Sequence, residues 1–243
     1  SLNVSTFHAL GARILRQEAK ALALKPRFSI FDAADSASVL AELAKEADKA
    51  RLKSLQWRIS GWKNALIEPA EASSLAEDEL GLAAARLYGD YEQALRAYQA
   101  VDFDDLIRLP VRLFENEADV LLRWQGKLQY LLVDEYQDTN RSQYRLMRLI
   151  AGARAAFTAV GDDDQAIYAW RGADVENLNI LQADYPQLKI IKLEQNYRSM
   201  QRILKAANAL IGNNPKLFEK RLWSEHGHGD AIQVNVARDN EQE

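Results

Sequence analysis

The chain has 243 residues, 48% of them hydrophobic and 27% charged. That balance supports a sizeable core, in one large domain or two smaller ones, and excludes a compositionally disordered chain. With no cysteine and a formal net charge of −4, disulfides and thiolate metal sites are excluded, and any contact with nucleic acid must be local rather than spread over a basic surface.

No apolar stretch reaches the roughly 18 residues of a membrane helix, and the first residues lack a charged-then-apolar leader. A soluble protein of the cytoplasm is the expectation. Residues 1–11 read as a strand end running into a helix that continues through Ile14 and Leu15. Ser5 or Thr6 is placed to cap its first turn, because a hydroxyl there accepts from a free backbone N–H. From residue 12 to 105 the texture is helical. Pro26 ends the first helix, and Asp35 or Ser36 can cap a second, which carries Val39, Leu40, Leu43 and Ala47 at helical spacing through residue 50. A third holds Leu55, Trp57, Ile59, Trp62 and Leu66 before Pro69, and a fourth spans residues 77–100. Trp57, Trp62, Tyr88, Tyr91 and Tyr98 are core residues of this helical subdomain by type. Stacking on bases is the alternative use of the same rings.

Residues 101–109, VDFDDLIRL, return the chain to an α/β part. Asp102, Asp104 and Asp105 look like helix-start capping groups rather than metal ligands, since a carboxylate there meets free N–H groups and the positive end of the helix dipole. Residues 131–140, LLVDEYQDTN, open apolar and turn acidic without a break. A short apolar run without polar alternation predicts a strand buried on both faces of a parallel sheet. Asp134 and Glu135 then fall at its C-terminal end, where open α/β sheets bind ligands. Such a pair suits a nucleotide site, one carboxylate holding Mg²⁺ and the next orienting or deprotonating an attacking water. An acidic turn is the plainer alternative.

A second run of the same design, residues 157–160, leads into Gly161, Asp162, Asp163, Asp164 and Gln165. Between the two, Tyr144, Met147, Leu149 and Ile150 mark the crossover helix that a parallel pair requires. A third apolar run, residues 188–193, ends at EQNYRS, and residues 231–236 alternate as a strand should, after a helix over 200–211. His226 and His228 lack carboxylate or thiolate partners nearby and make a weak metal candidate.

The segments VDEYQDTN, GDDDQAIYAWRGA and LEQNYRS, in this order and spacing, resemble the superfamily 1 DNA helicases of the UvrD/Rep type, and STFHALG at residues 5–11 resembles a further element of that family. The resemblance covers nearly the whole chain. It implies a RecA-like parallel sheet with helices on both faces and an inserted all-helical subdomain. The division expected is 1–11 and 106–193 for the first RecA-like domain, 12–105 for the insertion, and 194–243 for the start of the second.

For function the resemblance implies an ATP-dependent enzyme that moves 3′ to 5′ on single-stranded DNA and opens forked duplexes, in company with replication proteins. Asp134 would hold Mg²⁺, Glu135 would activate water, Gln165 would sense the ATP γ-phosphate, Tyr197 would stack on adenine, and Arg198 would act as an arginine finger. Thr6 and His8 would contact DNA phosphates. Tyr168, Trp170 and Arg171 would form the surface on which bases stack. Ala166 departs from the serine common at that place. The glycine-rich phosphate loop of the family, G-x-x-x-x-G-K-[ST], is not among these 243 residues, and the family places it before STFHALG. An isolated piece of this extent is expected to bind ATP poorly and to unwind nothing. A helicase–nuclease recombination subunit and a non-catalytic DNA-binding module on the same fold stay open beside this reading.

Overall fold

The computed structural model describes residues 2–45, 48–167, 176–214 and 218–234. They form two compact units. The first holds residues 1–162 and 166–178, the second residues 163–165 and 179–243.

In the first unit, helix α1 (Phe7–Gln17) starts at Thr6, whose side chain accepts from Ala9 N at 3.2 Å. Its apolar stripe puts Ile14 and Leu15 wholly out of water. Gly11 is required by a close approach: a Cβ at that position would stand 1.7 Å from the carbonyl oxygen of Leu106. Strand β1 (Ser29–Ile30) pairs in parallel with a distant partner, β2 (Ala100–Val101). The connection between them is all helical: α2 (Ala33–Ala44), α3 (Lys49–Asn64), α4 (Pro69–Ala72) and α5 (Glu79–Tyr98).

Each start in this insertion has a local cause. Asp32 and Asp35 form a reciprocal capping box on α2, Asp48 caps α3, Pro69 sits in the first turn of α4, and Asp78 caps α5. The single helix expected over 37–50 is therefore two, because α2 ends at Lys45 in the left-handed region (φ 50°). Leu40, Leu55, Ile59, Trp62, Tyr88 and Tyr91 close one hydrophobic cluster. Core packing thus accounts for three of the five aromatics, while Trp57 and Tyr98 remain exposed.

A second cluster joins α1 to α6 (Asp105–Asn116), α7 (Ala118–Lys127) and α8 (Arg141–Ala151), through Ile14, Ile107, Phe114, Trp124, Leu146 and Ile150. Leu131 of β3 (Leu131–Val133) packs against the same cluster. Parallel to β3 lies β4 (Phe157–Ala159), with Leu131 opposite Phe157 and Val133 opposite Ala159. The crossover between them is α8, as the spacing predicted. Burial on both faces does not hold, however: Leu132 is 76% exposed while Val133 is buried. Period-2 alternation sends neighbouring side chains to opposite faces, and α6 and α8 pack on Leu131's side.

The second unit carries most of α9 (Glu176–Asp184) and α10 (Gln201–Ile211). Asn208 on α10 grips Leu222 twice, donating to its carbonyl at 2.8 Å and accepting from its N–H at 3.1 Å. A parallel bridge joins Gln195 to Trp223. The strand expected over 188–193 has no ladder partner among the described residues, and Ile191 and Leu193 are exposed. Residues 231–234 likewise pair with nothing described, and 235–236 lie outside the described residues. An apolar run becomes a strand only where a neighbour takes its N–H and C=O groups. The class is mixed α/β with small parallel sheets, and among the described residues no helix is long and apolar enough to cross a membrane.

Candidate functional site

Parallel pairing sends the chain out of β3 and β4 at the same edge, and the acidic loop begins there. Val160 N donates to Val133 O at 2.8 Å, and Tyr136 N donates to Val160 O at 2.9 Å, so the two exits are laced together immediately beyond the ladder. Asp134 and Glu135 stand exposed between these bonds. Glu135 has φ 49° and ψ 45°. A left-handed residue with a Cβ costs about 1–2 kcal/mol, and the surrounding bonds hold it there: Glu135 N donates to Asp134 Oδ1 at 3.0 Å, and Asp138 N donates to Glu135 O at 2.9 Å. The result turns two successive carboxylates outward.

Gln137, not singled out from the sequence, fixes the second of them. Its Nε2 donates to Glu135 Oε2 at 2.7 Å, while its Oε1 accepts from Asp162 N at 3.0 Å. With only 2% of its surface exposed, this amide spans from the β3 loop to the β4 loop. Gly161 is needed beside it, because a Cβ there would meet Gln137 Oε1 at 2.9 Å. Asn177 ties the other flank, its side-chain Nδ2 donating to Thr139 O at 2.8 Å and its backbone carbonyl accepting from Tyr136 Oη at 3.3 Å. Partial burial, and then the charge of Glu135, raise the pKa of Asp138 from its ordinary value. The sequence shows Gln137 only as an amide within the acidic run and Asn177 only as one of two asparagines after Glu176, with nothing to say which would be buried.

Thr6 is exposed and acts as the helix cap described above; its hydroxyl remains on the surface at the start of α1. His8, two residues along, stacks on Phe103 with ring centroids 4.2 Å apart. Burial lowers the His8 pKa, and the nearby Asp104 charge opposes that shift. Gln165, Tyr197 and Arg198 belong to the second unit. Gln165 ends a short 3₁₀ turn, Asp163–Gln165, and is exposed. In the same unit Lys220 Nζ lies 2.5 Å from Asp163 Oδ1 and 3.1 Å from Asp164 Oδ2. Tyr197 and Arg198 are exposed in a turn whose N–H groups are organised by Asn196, which accepts from Arg198 N at 2.9 Å and Ser199 N at 2.7 Å. His226 is spent on the Tyr197 carbonyl, 2.9 Å from its Nε2. Tyr168, Trp170 and Arg171 lie outside the described residues.

Residues 1–186 match the UvrD/REP helicase N-terminal domain and residues 191–243 the UvrD-like helicase C-terminal domain. The chain belongs to the UvrD/REP helicase family. It is similar along its whole length to the ATP-dependent DNA helicase Rep of Escherichia coli (strain K12), 53% identical over 245 residues, and to that of Salmonella typhimurium, 52% identical; it covers 36% of each. The ATP-dependent DNA helicase PcrA of Bacillus subtilis is 43% identical, with 98% of this chain and 33% of that protein covered. The chain thus spans about a third of the length of the curated relatives it matches.

One further constellation in this UvrD/REP family chain joins residues far apart in sequence. Lys63 on α3 is fully buried and sits 2.7 Å from Asp102, 2.8 Å from Glu92 and 3.1 Å from Asp105. Arg108 on α6, also buried, pairs with Glu92, with Asp105 at 3.0 Å, and with the Tyr88 hydroxyl at 3.2 Å. Asp102 does cap, accepting from Asp105 N at 2.9 Å, and it also pairs with Lys63. These charges join the helical insertion to α6.

Proposed function

We propose that the intact protein containing this chain is an ATP-dependent DNA helicase that moves 3′ to 5′ on single-stranded DNA and separates forked duplexes in the cytoplasm, working alongside replication proteins. The observation that carries this is the pair Asp134–Glu135, exposed at the shared exit edge of β3 and β4 and held there by a left-handed backbone and a buried amide. The names of the similar proteins, ATP-dependent DNA helicases Rep and PcrA, supply the substrate class.

Asp134 fits Mg²⁺: it is an exposed, hard oxygen donor of which, among the described residues, only Oδ1 is engaged, by a backbone N–H. When bound, the ion would neutralise phosphate charge in the transition state. Glu135, its carboxylate steadied on one oxygen by Gln137, orients water and takes its proton. Gln165 contacts the γ-phosphate, Arg198 offsets charge on the transferring phosphoryl group, and Tyr197 stacks on adenine. On the DNA side, Thr6 and His8 bind phosphates, with Tyr168, Trp170 and Arg171 beneath the bases. The domain plan that accompanies this reading keeps residues 12–105 as the helical insertion and 194–243 as the opening of the second RecA-like domain.

The test is Glu135→Gln in the intact protein. Nucleotide binding should persist, measured with a fluorescent ATP analogue, while steady-state hydrolysis drops by about 10²–10⁴-fold, the usual contribution of a general base. Near-normal turnover would remove Glu135 from this role.

A further inference from the structure

Asn64 ends α3 where the helical insertion meets the loop that follows β3. Its Oδ1 accepts from Asn140 Nδ2 at 2.7 Å, and its Nδ2 donates to Asp104 Oδ1 at 2.9 Å. Ser60 fixes the amide by accepting from the same nitrogen through its carbonyl at 2.9 Å. Each partner leads to a different surface. Asn140 closes the acidic stretch that contains Glu135 and caps α8, accepting from Gln143 N at 2.9 Å. Asp104 follows Phe103, which is 56% exposed and stacked on His8. The carboxylates of its sequence neighbours Asp102 and Asp105 are committed to buried Lys63. Asp104 alone of the three reaches across to Asn64.

A side-chain amide that accepts from one neighbour and donates to the other cannot follow a displacement of either without disturbing its remaining bond. We propose that Asn64 is a positioning residue linking the two ligand surfaces: single-stranded DNA on His8 and Phe103 shifts Asp104, and Asn64 passes the shift to Asn140 and the loop of Asp134 and Glu135. This inference rests on the function proposed above. A residue that merely staples the insertion to the core would alter stability and both affinities, but not the dependence of one ligand on the other.

Coupling between two sites is reciprocal, so it is measured from both directions. In the intact protein, the dissociation constant of a non-hydrolysable ATP analogue with Mg²⁺ is measured with and without a short oligothymidylate, and that of the fluorescent oligothymidylate with and without the analogue. The two ratios should agree at a factor of at least about five. In Asn64→Ala and in Asn64→Asp, which keeps an acceptor toward Asn140 but repels Asp104, the factor should fall below about two while each ligand alone binds within about twofold of the parent. Parent-like coupling in a variant that melts like the parent overturns the link, as does loss of both separate affinities with the ratio intact. Should Asn64→Ala fail to fold, Asn64→Asp carries the same test. Glu135→Gln, assayed alongside, separates the two ideas. If it still hydrolyses ATP, the functional reading fails on its own account; if it does not, while the Asn64 variants keep full coupling, only the link fails.

Discussion

Two stretches of this chain open on Val-Asp and carry three carboxylates each, VDFDDL at residues 101–106 and VDEYQD at 133–138, and the fold uses them in opposite ways. Around the first, the chain supplies its own cations. Lys63 and Arg108 stand among Glu92, Asp102 and Asp105, out of water, and the carboxylates serve to join helices. Around the second no such cation is delivered among the described residues, and Asp134 and Glu135 stay exposed, organised by amides and backbone N–H groups. A row of acids is structural or functional according to what faces it across the fold.

The comparison is broken most directly by variants that remove one charge from each side. Glu135→Gln, expected to cost turnover by orders of magnitude, should leave equilibrium unfolding within about 0.5 kcal/mol, as an exposed, isosteric change does. Lys63→Ala should do the reverse. Taking one partner from a buried ion pair strands the others, and about 3–5 kcal/mol of unfolding free energy should go with it. If denaturant melts showed the two variants equally stable, the contrast between the two stretches would collapse.

Within the buried stretch, pH gives a finer reading. Desolvation, and then the neighbouring Asp105 charge, push Asp102 up to about 6 from 3.8, while Lys63 pulls the other way and only partly offsets them. A carboxyl whose folded pKa is raised binds its proton more tightly in the folded state. Its stabilising contribution is therefore complete below about 3.8 and lost as pH rises through about 6. Asp102→Asn carries no such charge. Its stability relative to the parent should be most favourable above pH 6 and should decline steadily toward pH 4, measured as the difference between urea midpoints across that window. A difference flat with pH would mean that Asp102 titrates as it does in the unfolded chain.

Legibility from sequence followed the same divide. The β3–α8–β4 unit was readable because apolar runs and the crossover spacing are local properties, and so were the acidic exit residues, which depend on strand direction alone. Gln137, Asn64 and the Lys63–Arg108 network were not, because each acquires its role from partners far along the chain: Asn64 from Asn140, Lys63 from Asp102. Periodicity carries no record of such pairings. The runs at 188–193 and 231–236 read as strands on pattern alone, and among the described residues no neighbouring strand meets them.

Thr6 tests whether a residue serves one side of this divide or both. Thr6→Ala should cost about 1 kcal/mol by loss of the cap on α1. Thr6→Asp restores an acceptor for Ala9 N and favours the positive end of the helix, yet places a negative charge where a DNA phosphate is proposed to lie. Stability should recover while oligothymidylate affinity, measured by anisotropy at low salt, stays reduced. Recovery of both would leave Thr6 as a cap and nothing more.

The smallest effect is expected where charge is neither buried nor offered to a ligand. Arg145 and Glu115 pair at 2.7 Å with more than a third of each side chain in water. Such pairs contribute about 0–1 kcal/mol, because solvent and salt screen the attraction and ordering two long side chains costs entropy. Arg145→Ala should therefore move the urea midpoint barely at all, and less still at high salt, whereas Lys63→Ala should keep its full effect there. Distance does not separate the two cases, since Lys63 and Asp102 also lie 2.7 Å apart. A comparable loss in both variants would mean that burial is not what gives the Lys63 network its weight, and the distinction between the two acidic stretches would have to be sought in something other than water.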